Sequence, residues 1–155
     1  IHDSFTVHQP EEIKVGIVVS EWNETITGAL KEGAIETLLA YGLKKKNIQL
    51  YSVPGSFELP SAASMLLSSD IFFNGIICLG CIIKGETRHD EYISQAVAKG
   101  IMQVGLVNIT PVIFGVLTCD TMEQALDRAG GKHGNKGVEA AVSLLKMIEL
   151  ERSLE

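Results

Sequence analysis

The segment Gly80 to Tyr92, GCIIKGETRHDEY, holds the densest concentration of reactive residue types in this 155-residue chain. An apolar run ends there in glycine, hydroxyl, basic and imidazole groups, then passes into a helical pattern. A helix start with free N–H groups, with Gly85 for close approach and Thr87 as a hydroxyl donor, makes an anion site for which phosphate is the natural guest. His89, beside it, could move protons near neutral pH, which no other side chain here does without a shifted pKa. A plain strand-to-helix turn would read the same way, with Thr87 as the cap and Lys84, Arg88 and His89 solvated. Local pattern leaves both readings open.

Three further clusters could serve a small-molecule site. Pro54 to Pro60, PGSFELP, presents Ser56, Phe57 and Glu58, and a carboxylate beside backbone donors suits recognition of hydroxyls. Equally, Glu58 at a helix start simply favours the dipole. Trp22, the only tryptophan, offers a flat face for a planar heterocycle, or an anchor for a core or interface. Asp127 to Gly137, DRAGGKHGNKG, gathers Arg128, Lys132 and Lys136, and Arg128 could fork onto a phosphate. A solvated inter-helix loop is the alternative. It is not a P-loop, because the spacing fails and no strand precedes it. Cys78, Cys81 and Cys119 are odd in number, and a strand would turn the first two to opposite faces. They read as small core residues, with no metal or redox site expected.

These groups need a scaffold, and periodicity supplies one. Ile13 to Ser20, Ile48 to Val53, Gly75 to Ile83 and Pro111 to Leu117 are short apolar runs, expected as strands buried on both faces. Between and after them run helical stripes: Ile26 to Tyr41, ended by Gly42; Leu59 to Leu67; Ile93 to Val104; Met122 to Ala129; and Val138 to Ile148. Gly130 to Gly137 is expected as a glycine-rich loop. The alternation predicts an α/β fold: one domain over residues 1–155 with an N-terminal arm at 1–12, and a four-stranded parallel sheet covered on both faces. Ligands of such sheets lie beyond the carboxyl ends of the strands, where the clusters above fall.

A net charge of −6 argues against nucleic acid or a membrane surface as partner. Apolar residues make up 46% of the chain, which suggests self-association. No run approaches the length that crosses a bilayer and no leader pattern opens the chain, so a soluble, cytoplasmic protein is expected.

Taken in order, Trp22-Asn23, VPGSFE (Val53 to Glu58), the strand end Gly80 to His89, FGV (Phe114 to Val116) and QALDRAGGKHGNKG (Gln124 to Gly137) resemble the lumazine synthases, over Val15 to Leu150. The resemblance implies a flavodoxin-like three-layer sandwich. It also implies condensation of 5-amino-6-ribitylaminouracil with 3,4-dihydroxy-2-butanone 4-phosphate, giving 6,7-dimethyl-8-ribityllumazine, phosphate and water without a cofactor. Carried over by position, Trp22 with Asn23 would hold the pyrimidine, and Ser56, Phe57 and Glu58 the ribityl chain. Cys81, Ile82 and Ile83 would offer backbone groups to the ring edge. Glu86, Thr87 and Arg128, with Lys136 nearby, would hold the phosphate. Phe114 would close the pocket from a neighbouring subunit, and His89 would transfer protons. Trp22 stands for a more frequent Phe, and Glu21 and Lys84 for frequent Arg residues; Glu86 sets a negative charge beside the phosphate. The resemblance further implies a homopentamer or a 60-subunit icosahedral shell, with riboflavin synthase as a partner. A non-catalytic lumazine or flavin binder, or a shell protein, is the competing reading on the same fold.

Overall fold

Aliphatic and β-branched runs that tolerate burial on both faces make the sheet. In the computed structural model, which describes residues 5–85 and 87–155, four parallel strands lie side by side: β1 (Val15–Ser20), β2 (Ile48–Val53), β3 (Gly75–Ile83) and β4 (Val112–Cys119). Their spatial order is β2-β1-β3-β4. The chain therefore leaves β1 toward one edge and returns to the other side for β3. The order reverses between β1 and β3, and an open α/β sheet has its crevice at that point. Strand β3 is the most enclosed, buried from Gly75 through Ile82.

Strand alternation sorts the core into two layers. Val15 and Ile17 of β1 and Ile77, Leu79 and Cys81 of β3 face α1 (Glu24–Ala40), α4 (Met122–Asp127) and α5 (Lys136–Ser153), where Leu30, Leu38, Leu144 and Leu145 pack against them. Val18, Ile76, Cys78 and Ile82 face the other way, onto Leu59 and Ala63 of α2 (Leu59–Leu67) and Val97 and Ile101 of α3 (His89–Asn108). This is the expected three-layer sandwich. Each fully buried Leu or Ile contributes about 1.5–3 kcal/mol to holding it. Cys78 and Cys81 fall in opposite layers, as the strand period of two requires.

Helix α1 stops where the glycine stands: Gly42 has φ 102°, its N–H donates to Leu39 O, and Leu43 N–H donates to Leu38 O. That is a Schellman ending, which a Cβ would strain. Two expectations are corrected. The fourth strand runs two residues beyond Leu117, to Cys119, because Lys84 N–H of the β3 end donates to Cys119 O. The stretch 130–137 is not a plain loop: Ala129–Gly131 (β5) and Gly134–Asn135 (β6) form a small antiparallel hairpin, and α5 already begins at Lys136. The positive φ values of Gly130 and Gly134 allow so tight a return.

Candidate active site

The β1–α1 turn enters the crevice in an unusual backbone state. Asn23 has φ 61° and ψ 51°, the left-handed region in which Asn is among the better tolerated residues. Its carbonyl accepts from Ile26 and Thr27 N–H to start α1. Its side chain does not cap the helix; Nδ2 instead donates to Cys81 O at 3.2 Å, tying the turn to β3. Trp22 is left projecting, 71% exposed. That exposure excludes the core-anchor reading and leaves an open aromatic face beside Gly55, where a Cβ would come within 3.5 Å of the indole.

The β2–α2 connection closes the opposite wall. Ser56–Glu58 forms a 3-10 turn held by reciprocal bonds: Glu58 N–H donates to Gly55 O, and Gly55 N–H donates to Glu58 Oε1 at 2.9 Å. Phe57 is exposed while Ser56 is buried. The turn can sit low on the sheet because β3 carries glycine beneath it. A Cβ on Gly80 would meet Ser56 Oγ at 2.5 Å and Leu59 Cδ1 at 3.1 Å.

The third wall is the β3–α3 connection. His89 opens α3, is exposed, and its backbone N–H donates to Thr87 Oγ1 at 3.2 Å. The N-cap itself is Arg88, without a side-chain cap bond, so the Thr87 hydroxyl stands one residue before it and holds the first helical N–H, and Asp90 and Glu91 fall in the first turn. Glu86 lies outside the described residues.

Together these walls enclose a cleft of ≈ 500 Å³ at the reversal of strand order. Trp22, Asn23, Ser56, Phe57, Cys81, Ile82, Ile83, Thr87 and His89 all border it. A flat aromatic face, strand-end backbone groups, a hydroxyl-bearing helix start and one imidazole therefore share a single space. Gly85 also lines it, as do Asp90 and Ile93, which the sequence reading did not select. Asp90 carries a signal, as the residue after His89 in a helical first turn; Ile93 reads from its spacing as a core position one turn further along.

Four expected site residues stand elsewhere in this subunit. Glu58 is set back, with Oε1 engaged by Gly55. Phe114 lines a separate, almost wholly apolar hollow of ≈ 440 Å³ with Ile101, Met102 and Leu106. Arg128 ends α4 with Nη1 donating to Gln124 O, and Lys136 N–H donates to Arg128 O at the start of α5. None of the four borders the cleft.

The thiols beneath the cleft are unreactive by environment. Burial pushes Cys78 up to about 12. Burial, helped by the neighbouring Cys119, does the same for Cys81. Neither is a ready thiolate nucleophile.

An open parallel sheet with a polar, aromatic-walled cleft at its switch point and an imidazole at a helix start defines an α/β enzyme for small planar and anionic substrates. The chain belongs to the 6,7-dimethyl-8-ribityllumazine synthase family, whose model matches residues 12–152. It is 57% identical over 133 residues to the 6,7-dimethyl-8-ribityllumazine synthase of Cytophaga hutchinsonii, covering 86% of this chain and 83% of that protein. The protein of the same name from Porphyromonas gingivalis is 49% identical over 151 residues, 97% of this chain and 93% of its own length. That from Bacteroides fragilis is 51% identical over 143 residues, 92% and 99% respectively.

Proposed function

We propose that this chain is a transferase of riboflavin biosynthesis. It condenses 5-amino-6-ribitylaminouracil with 3,4-dihydroxy-2-butanone 4-phosphate to give 6,7-dimethyl-8-ribityllumazine, phosphate and water. The observation that carries the reading is the convergence of Trp22, the Cys81–Ile83 strand end, Thr87 and His89 on one cleft, in a chain of this family. The indole stacks on the pyrimidine ring, and backbone groups at the end of β3 meet its edge. Ser56 and Phe57 face the ribityl chain, with Glu58 Oε2 as a further acceptor. Thr87 and the N–H groups at the start of α3 receive the phosphate.

The uracil's amine attacks the ketone, an imine forms with loss of water, phosphate leaves, and the second amine closes the ring on the remaining carbonyl with loss of a second water. Each step moves a proton beside the phosphate, a task for an exposed imidazole at the cleft wall. Approximation of the two substrates supplies most of the remaining rate; ideal intramolecular geometry lowers a barrier by about 7–11 kcal/mol.

Arg128, Lys136 and Phe114 lie off the cleft in their own subunit, which supports a site completed by a neighbour. Phe114 closes the pocket across the interface, and Arg128 with Lys136 adds positive charge at the phosphate. The apolar exposure of Met102, Leu106, Val107 and Ile109 around α3 and of Leu150 and Leu154 around α5 favours such self-association. A homopentamer, alone or as the unit of a 60-subunit shell in the cytoplasm with riboflavin synthase as partner, fits this reading. Mixing the two substrates with the protein should generate the absorbance and fluorescence of the lumazine faster than the uncatalysed background. A rate equal to background overturns the assignment and leaves a binding protein.

A further inference from the structure

Two hydroxyls at the floor of the cleft lack partners. Ser20 ends β1 and Ser56 begins the 3-10 turn; they are 1% and 7% exposed. Neither Oγ has a hydrogen-bond partner among the described residues. Buried hydroxyls in native structures are nearly always satisfied, so two orphans in one place call for an explanation. They also converge. The position a Cβ on residue 80 would take lies 2.5 Å from Ser56 Oγ and 3.3 Å from Ser20 Oγ. The bare backbone of Gly80 is what lets both hydroxyls occupy this spot, and Leu59 Cδ1, 3.1 Å from the same point, makes its surroundings apolar.

Only one of the two residues borders the cleft. Ser56 lines it, while Ser20 does not and instead borders a second hollow with Glu21, Glu24 and Thr27. We propose that Ser20 is a positioning residue for the hydroxylated chain of the pyrimidine substrate. In the complex Ser56 stays over Gly80, its hydroxyl shifting only enough to donate to a chain hydroxyl that reaches the cleft floor while its oxygen accepts the O–H of Ser20 beside it. This rests on the ribityl reading of the cleft given above. Ligand binding then satisfies two groups that are unpaired without it, and the bonds polarise one another in a dry setting. Selectivity follows, since an analogue without the hydroxyl leaves both serines orphaned.

The test is equilibrium binding, by calorimetry, of the ribitylamino-pyrimidine and of an analogue with a plain alkyl chain to wild type, Ser20→Ala, Ser56→Ala and the double variant. Ser20→Ala should weaken binding of the ribityl compound by about 5-fold, the loss expected for one buried hydrogen bond. It should leave the alkyl analogue unchanged and have no further effect once Ser56 is Ala. In turnover, KM for the pyrimidine should rise while kcat is kept. Because Ser20→Ala removes an unpaired buried hydroxyl, its melting temperature should equal or exceed that of wild type, a split that a purely structural role does not produce. Ser20→Gly serves as a second variant lacking the hydroxyl. Equal affinity of wild type and Ser20→Ala for the ribityl compound overturns the proposal, as does an equal loss for both ligands. Failure of the wild type to bind either pyrimidine overturns the ribityl reading itself, an outcome separate from these.

Discussion

The amide of Asn23 donates to the carbonyl of Cys81 at 3.2 Å, joining the end of β1 to the end of β3 across the point where the strand order reverses. One side chain thereby fixes the distance between the Trp22 wall and the strand-end backbone of the cleft. Its left-handed φ of 61° adds a second requirement, on the backbone.

The two requirements can be separated. Asn23→Ala should destabilise the fold by about 2 kcal/mol, roughly half from left-handed strain and half from the lost bond. Asn23→Gly should recover the backbone half and leave only the lost tether. Urea unfolding of the three proteins checks this. Equal midpoints for Ala and Gly would show that the backbone conformation costs nothing there. Both variants should raise KM for the pyrimidine, since the wall they loosen carries Trp22.

A second close approach supports the same region from below. Gly137, in the first turn of α5, lies against α1 so tightly that a Cβ would run into the Leu30 carbonyl oxygen. Asn135 sets this crossing, its Oδ1 accepting from Gly137 and Val138 N–H while Nδ2 donates to Ala29 O at 3.1 Å. Gly137→Ala must push two helices apart and should cost at least about 2 kcal/mol, despite the better helix propensity of alanine. A denaturation midpoint at or above that of wild type would show that the helices slide without loss.

Much of this was open to reading in the chain, for identifiable reasons. Strands such as GIICLGCII are buried on both faces, so their apolar runs are unbroken, and Gly42 ended α1 where the stripe of Ile26, Leu30, Ala34 and Leu38 ran out. The hairpin within 129–135 was missed because its glycines signal a turn equally well with or without paired flanks. Ser20 falls in the ligand-end segment 20–23 that the strand pattern indicates, but a serine at a strand end has no pattern of its own to single it out. Its meaning depends on Gly80 and Ser56, 60 and 36 residues away in sequence, converging on it. Thr87 reads equally as cap or anion donor; Arg88 is the N-cap, and the Thr87 hydroxyl accepts from His89 N–H one residue into the helix. Arg128 carries a motif, yet within one subunit its guanidinium donates to the Gln124 carbonyl and does not border the cleft.

The N-terminal arm is fastened by charge. Glu149 on α5 accepts from His8 N–H at 3.0 Å and meets His8 Nδ1 at 2.6 Å, while Arg152 donates to the His8 carbonyl and stands 3.6 Å from Glu149. Burial alone would raise the Glu149 pKa. The hydrogen bonds from His8 and the charges of His8 and Arg152 outweigh it and hold the carboxyl below its ordinary value. A depressed carboxyl stabilises the fold fully above its unfolded pKa, and that contribution disappears as pH falls through the lower folded value. Acidification should therefore release the arm before the sheet unfolds, seen as faster amide exchange around His8. In Glu149→Gln that exchange should already be raised at neutral pH and respond less to acid. An identical pH response in both proteins would rule out Glu149 as the fastening group.

His89 and Arg128 should fail differently, because one stands on the cleft and the other does not. His89 is exposed at its wall, so on the proposed reading its removal takes away the proton carrier and leaves the other walls of the cleft in place. His89→Ala should lower kcat by about 100-fold, the lower end of general acid–base effects because approximation survives, with KM nearly unchanged. Arg128→Ala should instead raise KM for the keto phosphate, by about 10-fold for a lost charged hydrogen bond, and leave KM for the pyrimidine alone. Since Arg128 lies off the cleft of its own chain, mixing Arg128→Ala with His89→Ala subunits should regenerate sites that carry both intact residues. Turnover of the mixed assembly above the sum of its two parents would place the pair on different subunits. Strictly additive turnover would mean that each cleft is completed by its own chain.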